Sequence, residues 1–193
     1  EHEPAVRGAL AQSLGRLRPA SAATIEQTQT ILLDVAQRDA SLETLLPTLR
    51  GFESLVRTNA DIELASGARD RLVGFIHYGR GSANPTEAEQ LESEAMFAAA
   101  RVRRLALAVL NAAGRADAET VEIALYDPDV EVRRLAAAAA SGVDDLYRQR
   151  LLLQIALADT EEQVRYEGLR GYGRLEHGPE GCATITTLVE DDD

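Results

Sequence analysis

The sequence predicts an all-α protein, an α-solenoid (α-α superhelix) of about five stacked helix pairs. Three observations carry this. Apolar residues recur at helical spacing along nearly the whole chain, and no segment sustains the two-residue alternation of a strand. The core palette is small and aliphatic: hydrophobic residues make up 45%, aromatics only 4%, and there is no Trp. Such side chains let helices approach closely and favour helix packing over a sheet. Finally, a short motif returns at an offset of 32 residues, the mark of a repeat whose units bury their apolar faces on one another.

Helices are expected over about 3–17, 21–38, 41–57, 61–78, 86–113, 117–126, 129–141, 144–158, 160–175 and 180–190. Thr24-Ile25-Glu26-Gln27, Thr86-Glu87-Ala88-Glu89 and Thr160-Glu161-Glu162-Gln163 read as capping boxes. Asp127-Pro128-Asp129 offers an N-cap carboxylate, a pre-set Pro and acid near the positive helix end. Val132, Leu135, Ala136 and Ala139 form an apolar face, with Val132 and Val164 pointing into the core. Gly114, Gly142 and Gly178 lie where helices should stop. Pro47 is expected to kink or split the third helix, and 86–113 is long enough to hide a second break. Residues 79–85 read as a loop; its glycines lack the strand and Lys of a phosphate cradle, so it is a connector.

The motif is clearest in two segments. Leu125-Tyr126-Asp127-Pro128-Asp129-Val130-Glu131-Val132-Arg133 aligns with Leu157-Ala158-Asp159-Thr160-Glu161-Glu162-Gln163-Val164-Arg165. In both, Asp stands six before Arg and Val directly precedes that Arg. Val102-Arg103 and Val6-Arg7 are further copies, and Asp191 continues the period. The pattern resembles the HEAT-repeat family, in particular the short bacterial and archaeal repeats related to phycobilin-lyase-like proteins. The resemblance is strong over 117–193, good at 1–17 and weak between. Gly168 departs from the usual Ala, and Phe97 stands where an Asp should precede Arg103. Asp127, Arg133, Asp159 and Arg165 are expected to form an inter-repeat ladder, the Asp capping a helix and the Arg reaching a neighbouring turn.

The chain has 193 residues, a size that fits one array over 1–193, and a net charge of −12. All 20 basic residues are Arg. The acidic balance argues against nucleic acid as partner. Without Lys there is no P-loop or Schiff-base lysine. Cys182 is alone, so no internal disulfide or Cys-based metal site is expected. No apolar run approaches a bilayer span, so no membrane insertion is expected. No signal peptide is visible and a cytoplasmic location is expected, although Glu1 in place of Met points to a processed or truncated N-terminus. The Arg- and Ala-rich composition suggests a GC-rich bacterial or archaeal source.

Catalytic constellations are poor, and no catalytic residue, cofactor or metal is expected. His2, His77 and His177 are scattered. Deoxyhypusine hydroxylases of the HEAT class carry His-Glu after the Val-Arg. Here those slots hold Gly8-Ala9, Arg104-Leu105, Arg134-Leu135 and Tyr166-Glu167. HEAT-like DNA glycosylases need a basic, aromatic concave face, which this composition opposes. The terminal Glu190-Asp191-Asp192-Asp193 reads as a solvated turn rather than a calcium site.

Recognition remains. The resemblance puts the second helix of each pair on the concave surface, with Arg104, Arg134, Tyr166 and Arg170 on or near it. Arg and Tyr dominate interface hot spots. The expectation is a non-enzymatic interaction scaffold whose groove binds a protein or peptide, with an acidic segment as the chemistry a basic groove would take. The opposing reading pairs those Arg with Glu131 and Glu167. Alternatives are a recognition arm of a larger enzyme and a phycobilin-lyase-like protein-modifying enzyme. The chain should open on a second helix and close on a first helix; such uncapped half-repeats imply a longer array or self-association.

Overall fold

The computed structural model describes residues 3–19, 21–59, 62–79, 89–175 and 186. Its elements are α1 (Pro4–Arg16), α2 (Ala22–Arg38), α3 (Leu42–Thr58), α4 (Ala68–Ile76), α5 (Glu89–Ala112), α6 (Ala118–Leu125), α7 (Val130–Ala140), α8 (Leu146–Leu157) and α9 (Glu162–Tyr172). Among the described residues the protein is all-helical, without strands. The chain forms two compact units, Glu1–Arg115 and Ala116–Asp193. Of the helix expected at 180–190 only Thr186 is described, of the box at Thr86 only Glu89, and the ends at His2, His177 and Glu190–Asp193 lie outside the described residues.

In the first unit, α1 packs on α3 and α3 on α5, while α2 packs on α4. The two sets are joined by α1–α2, α2–α3 and α4–α5 contacts. Leu32, Leu45, Leu49, Phe52, Leu55, Leu72, Ile76, Leu107 and Leu110 fill the core. The α1–α3 crossing runs backbone to backbone. A Cβ on Gly15 would stand 2.1 Å from the Gly51 carbonyl oxygen, and one on Gly8 would stand 2.3 Å from that of Glu43. Pro47 does not split α3, which runs unbroken from Leu42 to Thr58. Because Pro47 has no N–H, it leaves the Glu43 carbonyl without its intrahelical donor. That oxygen is the one seated against Gly8.

The helix expected at 61–78 begins only at Ala68. The buried Gln29 amide is the reason. Its Nε2 donates to the Glu63 carbonyl at 2.8 Å, and its Oε1 accepts from Ala65 N–H at 2.8 Å. The amide thus takes two backbone groups that a helix would use, and this stretch is not helical. Gly67, at φ 70, then turns the chain into α4.

In the second unit α7 packs on α9 and α6 on α8, with α6–α7, α7–α8 and α8–α9 contacts between them. Val132 and Val164 are fully buried, beside Val121, Ala136, Leu153 and Ala156. Gly168, where the resemblance led to an expectation of Ala, lies on α9 against α8. A Cβ there would stand 2.9 Å from Ala156 Cβ, so α8 and α9 meet closer than Ala permits.

The helix starts differ in detail from the capping boxes. Ser21, not Thr24, caps α2, its Oγ accepting from Thr24 N–H at 3.2 Å. Asp129, not Asp127, caps α7, accepting from Val132 N–H at 3.0 Å. At α9 the cap position is Glu161, with no side-chain hydrogen bond, and Thr160 lies before it. Local sequence offers several oxygens within a turn of each start, and the tertiary path selects one.

Candidate functional site

Asp127 and Asp159 turn the chain before α7 and α9. Asp127 Oδ1 accepts from Asp129 N–H and Asp159 Oδ1 from Glu161 N–H, each at 2.9 Å. Neither caps its helix by the box geometry; each closes a small side-chain turn two residues long. A third copy stands at Asp39, whose Oδ1 accepts from Ser41 N–H at 3.0 Å. Sequence reasoning missed it because Leu45, not Arg, stands six residues on, so only half the motif survives.

Arginines bind these turns. Arg133 grips Asp159 with two bonds, Nε to Oδ2 at 2.8 Å and Nη2 to Oδ1 at 3.2 Å. Its Nη1 donates to the Asp127 carbonyl at 3.0 Å, so one guanidinium joins its own turn to the next. Arg165 repeats the second half of this, donating to the carbonyls of Asp159 at 3.2 Å and Thr160 at 2.9 Å. In the first unit Arg7 Nε donates to Asp39 Oδ2 at 3.0 Å. Thr44 Oγ1, with its single proton, lies 2.7 Å from Asp39 Oδ2 and 2.8 Å from the Pro4 carbonyl. Arg103 is buried and donates to the Tyr78 carbonyl at 2.9 Å.

These partners set the charge states. Burial pushes the Asp159 carboxyl up, but the Arg133 guanidinium and Glu161 N–H outweigh it and hold the group below its ordinary value. Arg133 is correspondingly raised, chiefly by its bond to Asp159. The Arg7 guanidinium, with the Thr44 hydroxyl and Ser41 N–H adding to it, holds Asp39 well below the usual carboxylate range.

The residues expected to recognise a partner divide between the units. Arg104 is half-buried on α5 in the first unit. Arg134, Tyr166 and Arg170 share one surface of the second, formed by α7 and α9. Glu167 ties the two arginines together. Its Oε1 accepts from Arg134 Nη1 at 3.4 Å and its Oε2 from Arg170 Nη1 at 3.3 Å. Arg134 Nε also donates to Glu131 Oε2 at 3.1 Å. Glu167 is only 13% exposed, so the network is anchored between the helices rather than in solvent.

Beside this network lies a shallow depression of about 550 Å³, lined by Arg134, Glu162, Gln163, Tyr166 and Glu167. The Tyr166 side chain is exposed there, at 65%. The depression is lined by two carboxylates, Glu162 and Glu167, and one guanidinium, Arg134, with Glu131 bonded to Arg134 and Arg170 bonded to Glu167. Sequence reasoning named the arginines and weighed Glu131 and Glu167 as their partners. It left out Glu162 and Gln163, which stand one helical turn before Tyr166.

Among the described residues no cluster of His, Cys, Asp and Glu is arranged to hold a metal ion, and no helix is long and apolar enough to cross a membrane. No protein-family model matches the chain, and no curated protein matches it.

Proposed function

We propose that the protein is a HEAT-like α-solenoid that recognises a protein or peptide segment on the face of its second helices. The repeated Asp turn supports the architecture: Asp39, Asp127 and Asp159 each hold the N–H two residues on, and Arg7 and Arg133 each reach an Asp of a later turn. A repeat that lacks a closed core of its own offers a long surface for binding rather than a pocket for chemistry.

The observation that carries the recognition reading is Tyr166. It stands exposed in a depression whose polar rim is already fixed by Glu167. A stiff aromatic beside preset charged groups is how a protein surface gains affinity at small entropic cost. A photo-crosslinking amino acid at position 166 should capture the partner. Binding of that purified partner should weaken by at least about tenfold in Tyr166→Ser, the loss usual for an aromatic hot spot. Unchanged affinity in Tyr166→Ser and in Arg134→Glu removes this face as the binding surface.

A further inference from the structure

We infer that the niche at Tyr166 takes a guanidinium or ammonium side chain, and hence that the partner segment is basic. This rests on the recognition face proposed above and names its chemistry.

The sign follows from the rim. Glu131 and Glu167 are matched against Arg134 and Arg170 by the bonds already described. Two carboxylates balance two guanidiniums. Glu162 is left over: among the described residues its carboxylate has no ion pair or hydrogen bond, and it is exposed on the first turn of α9. The niche therefore carries one uncompensated negative charge beside an exposed aromatic ring. A cation set over Tyr166 would meet the negative face of the ring and the Glu162 carboxylate together. Gln163, also lining the niche, offers an amide oxygen to the same donor. An acidic segment would instead have to displace Glu167, which is nearly buried, from both arginines.

The wider charge points the same way. The chain carries 32 acidic and 20 basic side chains, so its field attracts cationic segments and repels anionic ones. Arg170 is half-exposed and would limit how a basic segment lies, excluding a second cation next to the first.

The test uses the whole chain and three labelled peptides of equal length: Arg-rich, Glu-rich and neutral. Binding is followed by anisotropy and by the Tyr166 ring resonances in NMR spectra. The Arg-rich peptide should bind saturably, shift those resonances and weaken with added salt. Glu162→Gln should weaken it about two- to fivefold, the range of an exposed ion pair. Tyr166→Ser should weaken it about three- to fivefold, as loss of an exposed cation–π contact does. Arg-rich binding that neither variant alters is non-specific attraction and overturns the inference. If the Glu-rich peptide alone moves the Tyr166 resonances, and Arg170→Glu abolishes that, the basic chemistry is wrong while the recognition face stands. If neither the peptides nor the crosslinked partner perturb Tyr166, both readings fall.

Discussion

Arg133 and Asp159 stand 26 residues apart in sequence and meet through two hydrogen bonds, at 2.8 and 3.2 Å. The Arg side chain is 16% exposed and the Asp 10%, so the pair is shielded from water. It fastens the turn before α7 to the turn before α9. A shielded, two-bonded pair of this kind contributes more than a surface ion pair.

Arg133→Met should therefore destabilise the second unit by about 2–4 kcal/mol, because the Asp159 carboxylate is left buried without its cation. Asp159→Asn should cost less than Arg133→Met, since an amide oxygen can still accept from Glu161 N–H. Urea denaturation of the two single variants and the double variant measures the coupling. A coupling energy near zero would show that the pair is incidental.

Acid should loosen both arginine-held turns. The folded-state pKa of Asp39 and of Asp159 lies below the ordinary value of 3.8. A depressed carboxylate contributes stability that is fully present above the unfolded value and is lost as pH falls through the folded value. Stability should thus drop as pH falls below about 4, and Asp39→Asn should flatten that drop. The check is chemical denaturation at stepped pH from neutral downward. Parallel curves for wild type and Asp39→Asn would contradict it.

Glycines of the first unit should answer oppositely to alanine. Gly15→Ala puts a Cβ 2.1 Å from the Gly51 carbonyl oxygen and forces α1 off α3. It should cost about 1–3 kcal/mol or more, as overpacking does. Gly74 lies inside α4 with nothing within 4 Å of an added Cβ. Gly74→Ala should stabilise by about 0.5–1 kcal/mol through helix propensity. Thermal melts of the two variants should shift in opposite directions.

Gln29→Leu keeps the volume but removes the amide that holds residues 63 and 65. It leaves a backbone N–H and a carbonyl unpaired, at about 1–3 kcal/mol each. Amide hydrogen exchange at Ala65 should speed up in the variant by more than exchange at Leu72, in the neighbouring helix. Equal acceleration at both would mean that the whole unit, not the clamp, had loosened.

The candidate site was half legible in the sequence. Arg134, Tyr166 and Arg170 could be found because they follow a repeated Val-Arg or lie one turn on, and helical spacing puts such residues on one face. Glu131 and Glu167 could be weighed as their partners, but Glu162 and Gln163 beside Tyr166 could not. Glu167 meets Arg134 across 33 residues, and only the packing of α7 on α9 makes them neighbours. The half-kept motif at Asp39 shows the same limit. Its Asp is plain in the sequence, but its partner Arg7 lies on another helix, 32 residues earlier.

The sequence by itself determined the all-helical class, the buried valines at 132 and 164, and the recurrence of an Asp six residues before an Arg. These depend on the period of a helix and on contacts within a turn or two, which neighbouring residues encode. Tertiary structure decided the rest: which oxygen caps each helix, that Gln29 suppresses the first part of a helix, and that three glycines let α1 and α3 touch. It also tied Arg134 and Arg170 to Glu131 and Glu167, the pairing that the sequence had offered against a basic groove. Such outcomes depend on which distant segments meet, and hydrogen-bond partners and net local charge are properties of that meeting rather than of either segment.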